Sequence, residues 1–233
     1  MHKIFIGKMR KNIRDILESW PKNFIRDIDF ESLLDSTADA RHSLIKRAFK
    51  SGLLIRIRQG LYLIASRTKQ TLPDEFELAL LIYQPSIISL ESALSYHSWI
   101  PEAVYTITCV SPKRAQEFKT PIGIFSYKHV PEQGFYLGVQ RIATKTGTIF
   151  IADAWRALAD FMYVRRRSWE DLTSLEADLR IDRDIAIGSD KKLLKELSEN
   201  YPSPRVQRGL KILLHEINRL HPDISMTDKP SKK

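Results

Sequence analysis

The segment from Ser36 to Ile64 constrains this chain more than any other. Ser36 and Asp39 match a Ser-x-x-Asp capping box, so a helix is expected to begin there, and Gly52 is placed to end it. At 100° per residue, Ala40, Leu44, Ile45, Ala48 and Phe49 fall on one arc. His42, Ser43, Lys46, Arg47 and Lys50 fall on the opposite arc together with Asp39. The next run, Leu54-Ile55-Arg56-Ile57-Arg58, has a period of two, which puts Arg56 and Arg58 on one face of a strand. Gln59-Gly60 supplies a turn and Leu61–Ile64 the return strand. A helix buried on one side and cationic on the other, followed at once by a basic hairpin, is the order of a winged helix-turn-helix. Duplex DNA is the partner that such a surface suits.

The distribution of charge agrees. The 233 residues carry a net charge of +9, and residues 1–70 hold 15 Lys and Arg against 7 Asp and Glu, while the rest hold 22 against 21. A basic first domain joined to a nearly neutral second one implies a polyanion-binding module attached to something with another task. The hydrophobic share of 43% and charged share of 28% are those of an ordinary globular chain. No apolar run is long enough to span a bilayer, and the apolar stretch Ile4–Ile6 is too short for a signal peptide. The single cysteine, Cys109, excludes an intramolecular disulfide and a cysteine-cluster metal site, and its alternating apolar surroundings imply a buried thiol. The expected location is the cytoplasm.

Ahead of the central segment, Ile4, Phe5, Met9, Ile13, Ile16, Leu17 and Trp20 recur at helical spacing until Pro21. A short extended piece is expected at Phe24–Ile28, and Asp29 is the expected N-cap of a short helix over Phe30–Leu34. Residues 66–72 read as a polar linker. Helices are then expected over Asp74–Tyr83 and Ser89–His97, and strands over Val104–Val110, Gly123–Val130, Gly138–Ala143 and Thr148–Ala152. Further helices are expected over Asp153–Val164, 169–179, 190–199 and 204–220. The fold class is therefore α+β: a winged helix-turn-helix at 1–66, a mixed α+β domain at 73–222, and a disordered tail at 223–233.

The chain offers little for catalysis. Ser92 and His97 are five residues apart and do not share a helix face, no Gly-x-Ser-x-Gly elbow surrounds a serine, and Ser89 reads as a helix cap. Gly188-Ser189 is not followed by the paired carboxylates that two-metal nucleotidyl transfer requires. The six histidines lack ligand spacing, and there is no Walker A or Gly-x-Gly-x-x-Gly run. No enzymatic activity, cofactor or metal is expected. A secondary basic surface is a candidate, formed by Arg165, Arg166 and Arg167 at a helix end and by Arg205, Arg208 and Lys211 on the outer face of the final helix.

Three blocks resemble the AbiEi antitoxin family of bacterial transcriptional regulators. Gly52–Tyr62 is similar to that family's wing. Ser89-Leu90-Glu91-Ser92-Ala93-Leu94-Ser95-Tyr96-His97, with Ile100-Pro101-Glu102, resembles the start of its second domain. Ala152-Asp153 followed by Ala157-Leu158-Ala159-Asp160 resembles a later block, although many members carry Pro-Glu-Lys or similar where this chain has Ala154-Trp155-Arg156. The resemblance implies an antitoxin of a type IV toxin–antitoxin (abortive phage infection) system. It also implies repression of the operon's own promoter through inverted repeats, and a second domain needed for antitoxicity and cooperative DNA binding. The toxin would be a separate nucleotidyltransferase that the antitoxin does not contact directly.

The residues expected to meet DNA are His42, Ser43, Lys46, Arg47 and Lys50 in the major groove, and Arg56, Arg58 and Gln59 at the backbone or minor groove. Two copies are expected on an inverted repeat. The competing expectation is a stand-alone winged-helix regulator whose second domain senses a ligand or a protein.

Overall fold

The computed structural model describes residues 12–34, 36–68, 74–102, 104–145 and 147–220. The apolar positions Ile4, Phe5 and Met9, most of the expected linker and the expected tail at 223–233 lie outside the described residues. The chain is mixed α+β and divides into two compact units, Met1–Asp74 and Glu75–Lys233. No helix among the described residues is long and apolar enough to cross a membrane.

In the first unit, α1 (Ile13–Ser19) turns Ile13, Ile16 and Leu17 inward and stops before Pro21. The Trp20 indole then donates to the Phe24 carbonyl at 2.9 Å. β1 (Phe24–Arg26) leads directly into α2 (Asp27–Leu33), three residues earlier than the sequence suggests. Asp29 does not cap this helix from outside. It sits in the first turn and reaches back, accepting from the Arg26 backbone N–H at 2.9 Å and from the Arg26 guanidinium at 2.9 and 3.1 Å. Burial pushes the Asp29 carboxyl up, but the hydrogen bonds from Arg26 outweigh it and hold the group below the usual carboxylate range.

α3 (Ala38–Lys50) starts one residue beyond the expected cap: Thr37, not Ser36, accepts from the Ala40 N–H. Its end is a Schellman motif. Leu53 N–H donates to the Ala48 carbonyl at 2.9 Å and Gly52 N–H to the Phe49 carbonyl at 3.1 Å, with Gly52 at φ +72°. That left-handed turn delivers the chain into β2 (Leu54–Arg58), which pairs with β3 (Leu61–Ile64). β3 is central in a three-stranded antiparallel sheet, with β1 on its other side and β2 at the edge. One face of this sheet, through Ile25, Leu54, Tyr62 and Ile64, packs on the inward residues of α1, α2 and α3. α4 (Ala65–Thr68) follows where a polar linker was expected.

The second unit is built on a six-stranded mixed sheet of order β6-β7-β5-β4-β9-β8. Its strands are β4 (Ile87–Ile88), β5 (Thr106–Ser111), β6 (Gln116–Thr120), β7 (Gly123–His129), β8 (Val139–Ala143) and β9 (Thr148–Ala152). β5 runs parallel to β7, and β4 parallel to β9; the other pairs are antiparallel. The sequence does not announce β4, which is two residues long, or β6, whose Gln-Glu-Phe-Lys-Thr has one apolar residue and lies at the sheet edge. The helices are α5 (Glu75–Ile82), α6 (Leu90–Tyr96), α7 (Ala154–Arg165), α8 (Leu172–Leu179), α9 (Arg183–Gly188), α10 (Lys191–Asn200) and α11 (Pro204–Leu220). α7 is buried nearly all round, including Arg156 and Asp160, and α6, α10 and α11 pack against it.

Candidate nucleic-acid interface

α3 presents the cationic face that its sequence pattern predicts. His42, Ser43, Lys46, Arg47 and Lys50 are all exposed, while Ile45 and Ala48 are buried and Leu44 is half-buried. The apolar arc is narrower than expected, because Ala40 is exposed and Phe49 is 49% exposed. Phe49 belongs to the Schellman corner itself, its carbonyl accepting from Gly52 N–H. Arg47 and Lys50 fall in the last turn, where they complement the negative end of the helix. Among the described residues, the side chains of His42, Lys46, Arg47 and Lys50 on this face make no ion pair or hydrogen bond within the fold. Arg41, on the same helix, is spent differently: it donates to Glu31 at 3.2 Å and to the Ser36 carbonyl at 3.0 Å, tying α3 to α2.

The hairpin departs from strict alternation. Arg56 pairs with Tyr62 and Arg58 with Leu61, so Ile57 is an extra residue in β2. This bulge lets Ile57 turn inward while Arg56, Arg58 and Gln59 remain exposed, and because their partners Tyr62 and Leu61 are consecutive it puts Arg56 and Arg58 on opposite faces of the sheet, not on the one face expected. Arg56 lies close enough to Tyr62 to oppose the upward push that burial and the Asp27 carboxylate exert on the phenol. Arg58 donates to the Gln59 carbonyl at 2.9 Å, which holds its side chain along the tip. Gly60, at φ +76°, closes the turn, and its carbonyl accepts from Asp27 N–H at 3.1 Å. The hairpin tip is thus anchored to the first turn of α2.

The other basic groups divide into spent and free. Arg165 pairs with Glu91 at 2.6 Å and Arg167 with Asp178 at 3.4 Å. Arg205 does not face outward as expected. It is half-buried and donates to the carbonyls of Met162, Tyr163 and Arg167, closing the C-terminal end of α7. Arg166, Arg208 and Lys211 are exposed and unpaired among the described residues. The sequence blocks around Ser89 and Asp160 meet in the core of the second unit. Asp160 accepts from Arg156 Nε at 3.0 Å, from the Tyr201 hydroxyl at 2.8 Å and from the Ser89 hydroxyl at 2.7 Å. Ser89 therefore spends its side chain on Asp160 and does not cap α6. Arg156 also donates to the Gly134 and Leu137 carbonyls. Ser92 and Thr108 exchange hydrogen bonds at 2.8 and 2.9 Å, and the His97 ring meets the Ala152 carbonyl at 2.9 Å. These residues hold elements of the second unit together. Burial pushes the Cys109 thiol well above its ordinary range, which leaves it inert. Among the described residues, no group of three or more His, Cys, Asp or Glu side chains is placed to hold a metal ion.

No protein-family model matches the chain. No curated protein matches it either. Among solved structures, it is similar to the crystal structure of the RV2827C protein from Mycobacterium tuberculosis. The two share 14% sequence identity and a TM-score of 0.46, over 87% of this chain and 80% of that one.

Proposed function

We propose that the chain is a DNA-binding regulator whose first unit acts as a winged helix-turn-helix. In this reading α2 and α3 are the helix-turn-helix pair and the β2–β3 hairpin is the wing. His42, Ser43, Lys46, Arg47 and Lys50 enter the major groove, and Arg56, Arg58 and Gln59 grip the backbone or minor groove. The observation that carries it is the unpaired cationic face of α3, followed within a few residues by an anchored hairpin that presents two more arginines. A helix end that only needed solubility could spend its cations on neighbouring carboxylates, as Arg41 does.

The wider proposal is that the chain represses its own operon through inverted repeats, with two copies on the DNA, and counteracts a nucleotidyltransferase toxin without contacting it. Support for this half comes from the resemblance of the Ser89–His97 and Ala152–Asp160 blocks, which are joined in the core by the Ser89–Asp160 hydrogen bond. The reading needs no catalytic group or cofactor.

The test is a gel-shift titration on the chain's own upstream DNA. Lys46→Ala with Arg47→Ala should weaken binding by about 1–3 kcal/mol for each side chain that reads a base edge. Affinity should fall steeply with salt, with a log–log slope reduced by about 1 for each phosphate-binding cation removed. Unchanged affinity in the double variant removes α3 from the interface, and a flat salt response rules out phosphate binding. Growth of cells carrying an adjacent nucleotidyltransferase gene, with and without this one, tests the antitoxin half. A stand-alone regulator would leave any such toxicity untouched.

A further inference from the structure

The second unit contains an open cavity of about 610 Å³. It is walled by the end of β7, the C-terminal end of α7 and the start of α11. Lys128 and His129 come from β7, Tyr163 and Arg166 from α7, and Ser203 and Arg205 from the α11 entry. Three of these six side chains, Lys128, Arg166 and Arg205, are cationic, and no carboxylate lines the wall. The volume lies within the range of small-molecule sites.

The cations are held there by the fold. Arg166 occupies the C-cap of α7 in a left-handed conformation, φ 55° and ψ 32°, which turns it away from the path of its neighbours. Arg165 and Arg167 on either side of it are neutralised by Glu91 and Asp178. Arg166 alone of the three is left unpaired among the described residues, and it alone lines the cavity. Lys128 is half-buried, and its side chain makes no ion pair or hydrogen bond among the described residues. Arg205 is fixed by three carbonyls, so its charge is oriented before any ligand arrives. His129 donates Nδ1–H to the Lys113 carbonyl at 3.1 Å, which fixes its ring at the rim. The Ser203 hydroxyl makes no hydrogen bond among the described residues. Concentrated positive charge without a counter-charge, in a concave and partly enclosed place, is costly unless an anion shares it.

The geometry points to a binding site for a small phosphorylated ligand, with its phosphate or diphosphate held by Lys128 and Arg166, the Ser203 hydroxyl donating to it and the carbonyl-fixed guanidinium of Arg205 adding positive charge beside it. Tyr163 offers the ring against which the body of the ligand packs. The site lies wholly within the second unit and does not depend on the DNA-binding reading.

The test is calorimetric titration of the full chain with pyrophosphate, a nucleoside monophosphate and the matching nucleoside. Pyrophosphate and the monophosphate should bind and the nucleoside should not. Arg166→Asn keeps a residue that tolerates the left-handed conformation, and Lys128→Gln keeps most of the side chain. Each should weaken pyrophosphate binding about tenfold or more. Arg208→Ala, an exposed cation elsewhere on α11, and Lys46→Ala with Arg47→Ala on α3 should leave it unchanged. Circular dichroism of each variant checks that the fold is retained. Absence of binding at millimolar pyrophosphate overturns the site, and so does equal loss in the Arg208 or α3 variants. If Arg166→Asn weakens duplex DNA and no small ligand binds, the cluster belongs to a nucleic-acid backbone and the proposal fails.

Discussion

Replacing Asp160 with Asn is the sharpest probe of how the second unit is held together. Asp160 is fully buried and answers three donors from three elements: Arg156 on its own helix, Tyr201 after α10, and Ser89 before α6. Asparagine preserves the shape. Its oxygen can still accept from Arg156 and Tyr201, and its amide can donate to the Ser89 oxygen, so the hydrogen-bond count barely changes. What disappears is the negative charge beside a guanidinium that is itself 2% exposed. An uncompensated buried charge of this kind costs about 3–5 kcal/mol. The lower end is favoured because Arg156 keeps the Gly134 and Leu137 carbonyls at 3.0 and 2.6 Å. In a unit of this size, about 3 kcal/mol corresponds to a fall in Tm of roughly 6–12 °C. Thermal unfolding followed by circular dichroism reads it directly. Arg156→Met added to Asp160→Asn removes the stranded cation and should recover part of the loss. If Asp160→Asn melts within about 2 °C of the wild type, a loss of under roughly 1 kcal/mol, Arg156 does not rely on this carboxylate and the account of the framework is wrong.

Two further outcomes concern the first unit. Gly60→Ala places a Cβ 3.2 Å from Asp27 Oδ2 at φ +76°; it should destabilise the unit by about 1–2 kcal/mol in a urea titration, and a neutral result would mean the turn is not held in that conformation. Asp29 has a folded-state pKa below its unfolded value, so its contribution is complete above about pH 4 and is lost as pH falls through the depressed value. Asp29→Asn should therefore lower stability at neutral pH and flatten the acid limb of the stability profile; an unchanged limb in the variant would contradict the Arg26–Asp29 assignment.

Local patterns were legible where one periodicity ran uninterrupted. The helix over 38–50 and both strands of the hairpin follow from residue spacing, because a 3.6-residue or two-residue repeat is a property of neighbours in the chain. Boundaries were less legible. Thr37 and Ser36 are equivalent as caps on paper, and the backbone geometry at the α3 entry selects Thr37. The short strand β4 and the polar edge strand β6 carry no repeat of their own and exist because a neighbouring strand pairs with them. For the candidate interface, every residue named on α3 and the hairpin is exposed. The exposure of Phe49 and the bulge at Ile57 were not legible, since the bulge is a matter of register between β2 and β3 and burial depends on which neighbours the fold supplies.

The sequence by itself determined that the first 70 residues concentrate positive charge and that α3 carries it on one side, whereas the bulge in β2 decided that Arg56 and Arg58 do not share a face. The tertiary structure decided which cations are available. Arg41, Arg156, Arg165, Arg167 and Arg205 are engaged by carboxylates or carbonyls, several of them distant in sequence, whereas among the described residues Lys46, Arg47, Arg56 and Arg166 have no such partner. Charge is written residue by residue, but its neutralisation depends on atoms within about 4 Å. Which atoms those are is settled only when the chain has folded.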